Sequence, residues 1–478
     1  MKKAKIIATI GPACEKPAAI EKLIKAGVDV CRLNFSFGTH EEHLKKIENI
    51  RKASAKLGKS VAILQDLQGP KIRIGNLTAP VTVKKGEILI LSGKNQHKEH
   101  LCLPTTYRGI ANDTKKGKTI LLADGKIILR VIDTDKATRQ VRCKVMCGGT
   151  ILTGKGINLP YTAISLPALT PKDKADAIFG AHAGVDYMGM SFVREAKDVS
   201  MLRNLLKKEK INIPIIAKLE KPEALDNLDE ILDVVDGVMV ARGDLADEIS
   251  FAKVPAAQKR IIHSANKKAK ITIIATEMLS SMVDNPLPTR AEVSDVANGV
   301  LDGSDCLMLS NETATGANPL KAVKAMVDII SETETLFGCE YFHNELNLPE
   351  AHKLNEAMCE SAAHLSYSLD ERAICVLTTT GDTATVLAKY RPQSIIYAGT
   401  HDEKVYQKMA FLHNIRPVLL EKEAPSNEKE AHATFQSFAK QLLKEKLVKP
   451  SDQLIILGGL SDAKNKWSLN AISVVTAG

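Results

Sequence analysis

Aromatic side chains make up only 4% of this chain, and Trp467 is its single tryptophan. Its basic residues are spread over the whole length, with no dense cationic block interleaved with aromatics, so no nucleic-acid partner is expected. No apolar run approaches the roughly 20 residues of a membrane span. Met1-Lys2-Lys3 leads straight into a short strand-like segment, unlike a signal peptide. The expectation is no membrane partner and a cytoplasmic location. Nine cysteines follow no disulfide-framework spacing, and Cys143 and Cys147 are read as a buried pair in a β-rich stretch rather than a metal site.

What is present is an ordinary globular composition, 44% hydrophobic and 25% charged, over 478 residues, a length that suggests two or three domains. The net charge of +9 gives a positive field that draws in phosphates and carboxylates. Eight short apolar runs punctuate the first two thirds: Lys5 to Ile10, Val28 to Phe35, Ser60 to Leu67, Val185 to Phe192, Ile213 to Glu220, Asp236 to Asp244, Ile271 to Glu277 and Ser304 to Glu312. Strands alternating with helical stretches predict parallel βαβ units, and eight close a barrel whose active site lies at the strand ends.

The rhythm breaks after Gly69. Lys85-Gly86, Lys116-Gly117, Asp124-Gly125 and Gly148-Gly149 separate short alternating strands such as Thr119 to Ala123 and Lys126 to Asp133, the pattern of hairpins in a small β-barrel. An insertion beside the active site suits a lid that excludes water. From about Asn347 helices and strands alternate again, reading as a doubly wound α/β domain with strands Ala373 to Leu377, Ile395 to Ala398 and Leu454 to Leu457. The fold class is therefore α/β: a (β/α)8 barrel (1–68 and 164–345), an inserted small β-barrel lid (69–163) and a C-terminal α/β domain (346–478).

The strand ends carry the chemistry. Lys218 and Glu220 are two apart and point to one side of an extended strand, and Asp244 closes the sixth run. Two carboxylates without histidine or thiolate neighbours suit Mg²⁺ or Mn²⁺. Lys218 beside a metal has three roles open to it: Schiff base, general base or charge stabiliser. Arg32, Asn34 and Ser36 alternate on the second strand, and arginine is a natural phosphoryl clamp. Asp66 precedes Gly69-Pro70-Lys71-Ile72-Arg73, Thr276 and Glu277 close the seventh run, and Ser310 and Glu312 the eighth. Amides after Gly243, at a helix start, suit a substrate carboxylate. The set fits phosphoryl transfer, which needs positioning and charge neutralisation.

At these residues the chain resembles the pyruvate kinases over essentially its whole length, through ATIGPA (8–13), RLNFS (32–36), DLQGPKIR (66–73), KLE (218–220), MVARGDL (239–245), PTRAE (288–292), DVAN (295–298) and LDGSD (301–305). The resemblance implies phosphoenolpyruvate and ADP as substrates, pyruvate and ATP as products, and a homotetramer. It implies Glu220 and Asp244 as ligands of the divalent metal, Lys218 as stabiliser of the phosphoryl group and enolate, and Arg32 as phosphate clamp. Thr276, with the amides of Gly243 and Asp244, would seat the carboxylate and lie near the protonated face. Arg73 and Lys172 would meet the nucleotide phosphates. Asn34 joins them and, with Ser36 and Asp66, matches a monovalent-cation region.

Several positions depart from the family pattern. Leu67 and Lys71 stand where potassium-dependent members commonly carry threonine and glutamate, so Lys71 is expected to act as an internal cation and K⁺ not to be required. Phe37 replaces a histidine near the nucleotide, Glu277 a glutamine, Ala246-Asp247 a glycine and an apolar residue, and Asn311 is a milder change. Thr378, Thr379, Thr380, Gly381 and Thr383 form a strand-to-helix loop that reads as an effector site for a sugar phosphate or nucleotide, with Lys464 and Lys466 offsetting Asp382. The same loop reads equally as a capped helix start with no ligand. Rival readings are a metal-dependent lyase or aldolase, which leaves the lid idle, and a weakened regulatory relative.

Overall fold

The computed structural model describes residues 2–93, 101–123, 125–162, 164–336, 346–348, 353–369, 373–421, 428–461 and 467–477. Eight parallel strands close a barrel: β1 (Lys5–Thr9), β2 (Val30–Asn34), β3 (Ala62–Asp66), β4 (Tyr187–Met190), β5 (Ile215–Leu219), β6 (Gly237–Ala241), β7 (Ile271–Ala275) and β8 (Cys306–Leu309). Each strand pairs with its sequence neighbours, and β1 with β8 completes the ring through Lys5 opposite Cys306. Their side chains are almost all buried, as expected where helices cover the outside and a packed core fills the inside.

The expected runs were longer than the ladders. Arg242 to Asp244 are already the first turn of a helix, Arg242–Ile249, and Thr276 and Glu277 have left β7 with φ of +73° and +55°. Glu312 lies in the short Asn311–Ala314 helix, where its Oε1 and Oε2 accept the amides of Leu279 and Ser310 at 3.1 and 2.7 Å. It is a structural cap and not a strand end.

After β3 the chain builds the lid. Its main sheet has six strands in the order Ile157–Asn158, Thr119–Leu122, Ile127–Asp135, Gln140–Cys147, Ile88–Ser92 and Cys102–Pro104. Bridges from Arg73 to Gly156 and from Ile74 to Thr105 join the two edges and roll the sheet. Asp124, in one of the expected turns, lies outside the described residues. The buried pair expected at Cys143 and Cys147 is not formed: Cys143 is buried and Cys147 exposed. A register shift, with Ile128 opposite Cys147 but Leu129 opposite Val145, inserts Met146 as a bulge and turns Cys147 outward.

The C-terminal sheet contains β9 (Ala373–Leu377), β10 (Ile395–Thr400), β11 (Ile415–Leu419), β12 (Gln453–Ser461) and β13 (Trp467–Thr476), ordered β11-β10-β9-β12-β13 with only β13 antiparallel. One hydrophobic cluster runs from Ile7, Val30, Leu64 and Ile273 in the barrel interior to Ile374, Leu387 and Phe411. This domain therefore sits on the floor of the barrel, at the opposite end from the lid. Asp305, just before β8, is buried there with Lys389 and Arg391.

Candidate active site

Arg32, Asp66, Lys218 and Glu220 converge at the carboxyl ends of β2, β3 and β5. Arg32 donates from Nε to Asp66 Oδ2 at 2.7 Å and from Nη1 to Thr9 Oγ1 at 2.9 Å. The other oxygen of Asp66 is 3.2 Å from Lys218 Nζ, which also lies 2.9 Å from Glu220 Oε1 and donates to Ser191 Oγ at 2.7 Å. Ser191 passes its own hydrogen to the Leu67 carbonyl at 2.7 Å, and Glu220 Oε2 accepts the Phe192 amide at 2.8 Å. The lysine is thus fixed by two acids and a hydroxyl.

Burial opposes the charge on Lys218, but Asp66 and Glu220 override it and hold its pKa above the ordinary lysine value. Asp66 is likewise penalised by burial, yet Lys218 and Arg32 keep its carboxyl below the usual range. Glu220 is pushed up, first by burial, against the pull of Lys218 and with a further push from Asp244.

Glu220 Oε1 is buried and makes no hydrogen bond, although the Lys218 ammonium is near. Asp244, 24% exposed in the first turn of the Arg242–Ile249 helix, receives Lys71 Nζ on Oδ1 at 3.0 Å. Among the described residues no group of three or more His, Cys, Asp or Glu side chains is placed to hold a metal. Two carboxylates, one with a buried oxygen balanced only by the Lys218 ammonium, fit a hard cation that takes its other ligands from water and substrate oxygens, the habit of Mg²⁺.

Thr276 accepts the Gly243 amide on Oγ1 at 2.8 Å and donates to the Ala275 carbonyl at 2.5 Å. A β-branched residue at φ +73° is strained and needs outside support. Arg242 gives it, donating from Nη2 to the Thr276 carbonyl at 2.8 Å and from Nη1 to Asp295 at 2.7 Å. Sequence reasoning missed Arg242, Ser191 and Phe192. The first had a signal in its place beside Gly243, whereas the other two act through fold-made contacts.

The remaining expected residues lie further out. Asn34 Oδ1 accepts the Ser36 amide at 3.1 Å, a local turn, and Lys71 sits on Asp244 and not on the group of Asn34, Ser36 and Asp66. Lys172 donates to the Phe35 carbonyl at 2.7 Å and to Asp176, and Arg73 Nη1 donates to the Gly154 carbonyl at 2.8 Å within the lid. Phe37 is 68% exposed and Glu277 is exposed. Asp247 faces the lid, its Oδ1 3.2 Å from where a side chain on Gly125 would begin. In the distant threonine loop, Thr378 Oγ1 and Thr380 Oγ1 accept the amides of Gly381 and Asp382 at 2.8 and 3.3 Å, so both hydroxyls bond within their own turn just before the helix. Lys464 and Lys466 lie outside the described residues.

Gly69 is the hinge between barrel and lid. At φ +69°, a Cβ there would meet Phe192 Cδ2 and Ser191 Cβ at 2.8 Å. Gly69→Ala is expected to destabilise the protein by about 1–3 kcal/mol and, by moving Ser191, to lower kcat as well. A thermal melt beside steady-state kinetics checks both effects.

Residues 1–323 match the family model described as pyruvate kinase, barrel domain, and residues 356–475 the one described as pyruvate kinase, alpha/beta domain. Pyruvate kinases of Staphylococcus aureus strains MRSA252 and USA300 are each 43% identical over 420 residues, covering 88% of this chain and 72% of the relative. The first match spans the barrel with the lid inserted in it, the second most of the domain on the barrel floor, and the relatives align over most of the chain: the chain belongs to the pyruvate kinase family.

Proposed function

We propose that Arg32, Asp66, Lys218, Glu220, Asp244 and Thr276 form the place where this chain carries out its family's reaction, the transfer of the phosphoryl group of phosphoenolpyruvate to ADP, giving pyruvate and ATP. The observation that carries this reading is Lys218, buried between Asp66 and Glu220 and held as an ammonium. A Schiff base or a general base needs the neutral amine, so stabilisation of negative charge is the role left.

That charge builds on the phosphoryl oxygens as an ADP β-phosphate oxygen attacks phosphorus, and on the enol oxygen as its bond to phosphorus breaks. Arg32, oriented by Asp66 and Thr9, would clamp the phosphate. Thr276 and the amides of Gly243 and Asp244 would seat the carboxylate, the substrate taking over the amide that Thr276 Oγ1 now accepts. A proton delivered beside Thr276, through water, converts the enolate to pyruvate. Glu220 and Asp244 would hold the Mg²⁺ or Mn²⁺ that the family uses, which when bound neutralises charge on the phosphoryl group. Arg73, Lys172 and Asn34 would meet the nucleotide. A homotetramer, a cytoplasmic location and a sugar-phosphate or nucleotide effector at the Thr378 to Thr383 loop complete the reading.

The test is pyruvate and ATP formation from phosphoenolpyruvate, ADP and Mg²⁺, run in K⁺ and in tetramethylammonium at equal ionic strength. Turnover is expected in both, because Lys71 supplies a positive charge beside the site, and Lys71→Glu is expected to make turnover depend on K⁺. Turnover in K⁺ alone sinks the lysine argument, and none in either, from folded protein, sinks the site.

A further inference from the structure

Two charged residues that the proposed chemistry leaves unused stand beside the two metal carboxylates. Lys221 follows Glu220 at the end of β5, and Glu248 lies one helical turn beyond Asp244 on the Arg242–Ile249 helix, on the same face. Their side chains are 7% and 2% exposed, and Lys221 Nζ meets Glu248 Oε1 at 2.6 Å. Lys221 also lies 5.9 Å from the centre of the Phe192 ring, whose backbone amide holds Glu220. From the lid, Asn158 lines the same small cavity as Lys221 and Glu248, and Tyr161 Oη donates to the Ile249 carbonyl at 3.2 Å. The helix thus carries a metal ligand in its first turn and receives the lid on its last.

We propose that the Lys221–Glu248 pair is a brace that sets the spacing of Glu220 and Asp244 and passes the seating of the lid, through Asn158, to the metal site. Glu220 and Asp244 come from different elements, so their separation depends on how the end of β5 is held against the helix. A buried ion pair resists shear between the two, because separating its members strands a charge away from water. Groups that orient metal ligands without touching the metal are worth about 10–100-fold in affinity. Lys221 and Glu248 are therefore positioning residues. The inference rests on the assignment of the metal to Glu220 and Asp244.

The experiment measures the Mn²⁺ dissociation constant by electron paramagnetic resonance on the full chain without substrate, with a thermal melt of each variant. Lys221→Gln is expected to weaken Mn²⁺ binding about tenfold, Lys221→Arg to restore most of it, and Asn158→Ala to weaken it less than Lys221→Gln. At saturating metal, kcat of Lys221→Gln is expected to stay close to that of the unaltered protein. A folded Lys221→Gln with unaltered Mn²⁺ affinity overturns the brace. Should that variant not fold, Glu248→Asp, which keeps the charge and shortens the reach, gives the same reading, and unaltered affinity there overturns it equally. If Mn²⁺ binding survives Glu220→Gln, the metal assignment falls and the brace with it; if Glu220→Gln abolishes binding while Lys221→Gln leaves it intact, the brace alone falls.

Discussion

Lys218→Met is expected to lower kcat by about a thousandfold, the upper range for loss of one preorganised charge stabiliser in a water-poor site. The effect on KM for phosphoenolpyruvate is expected to be smaller, since the ammonium meets charge that grows only as the phosphoryl group moves. The substitution also leaves Asp66 and Glu220 buried without their shared cation, at a cost of about 3–5 kcal/mol, so the variant must be shown to fold by circular dichroism before its kinetics are read. Lys218→Arg is not expected to rescue it, because a planar guanidinium cannot replace a point charge between two carboxylates and the Ser191 hydroxyl. The pH dependence separates the roles. The folded pKa of Lys218 is raised, so the stability it contributes is fully present below the unfolded lysine value of about 10.4 and is lost only as pH rises through the folded value. A pH profile of kcat is thus expected to show no lysine ionisation near neutrality, and a limb that disappears in Lys218→Met would reinstate the general base.

The barrel was legible because parallel strands covered on both faces read as short apolar runs, and the eight runs recur at βα spacing. Their ends were not, because leaving the ladder depends on contacts made only after folding. Thr276 is the plain case: a β-branched residue signals a strand, yet it adopts a positive φ because Arg242 grips its carbonyl. Of the site, Lys218 and Glu220 could be placed together from their spacing, since two residues along a strand share a side. The Lys221–Glu248 pair could not, as 27 residues separate its members and only the approach of helix and strand joins them. Cys147 fails for a related reason, an inserted residue that alternation cannot see. In the C-terminal sheet β11 escaped because Pro417 lies in its middle; the strand is at the sheet edge, where a missing amide costs little.

Asp305→Asn is expected to destabilise the protein by about 3–5 kcal/mol without touching the active site. Asp305 Oδ2 accepts from the Thr272 amide at 2.8 Å and from Thr272 Oγ1 at 3.0 Å, bonds that an asparagine carbonyl can keep. What it removes is the charge facing Lys389 and Arg391, the latter 3.0 Å from Oδ1, all three almost fully buried where the C-terminal domain meets the barrel floor. Both cations would then keep neutral partners such as Asn266 and the Gly303 carbonyl but lose this buried counter-charge, so adding Lys389→Met is expected to recover part of the loss, which separates the charge from simple packing. Burial opposes ionisation of Asp305, but Lys389 and Arg391 hold its carboxyl below the usual range. Its contribution is therefore present above the unfolded aspartate value of about 3.9 and is lost as pH falls through the lowered folded value. Thermal melts are expected to show the gap between Asp305→Asn and the unaltered protein narrowing in acid. A gap that persists unchanged well below pH of about 3.9 would place the effect in the Thr272 bonds instead. The helix Asp382–Lys389 begins at the threonine loop and ends at Lys389, so the Asp305 pair ties that loop to the base of β8.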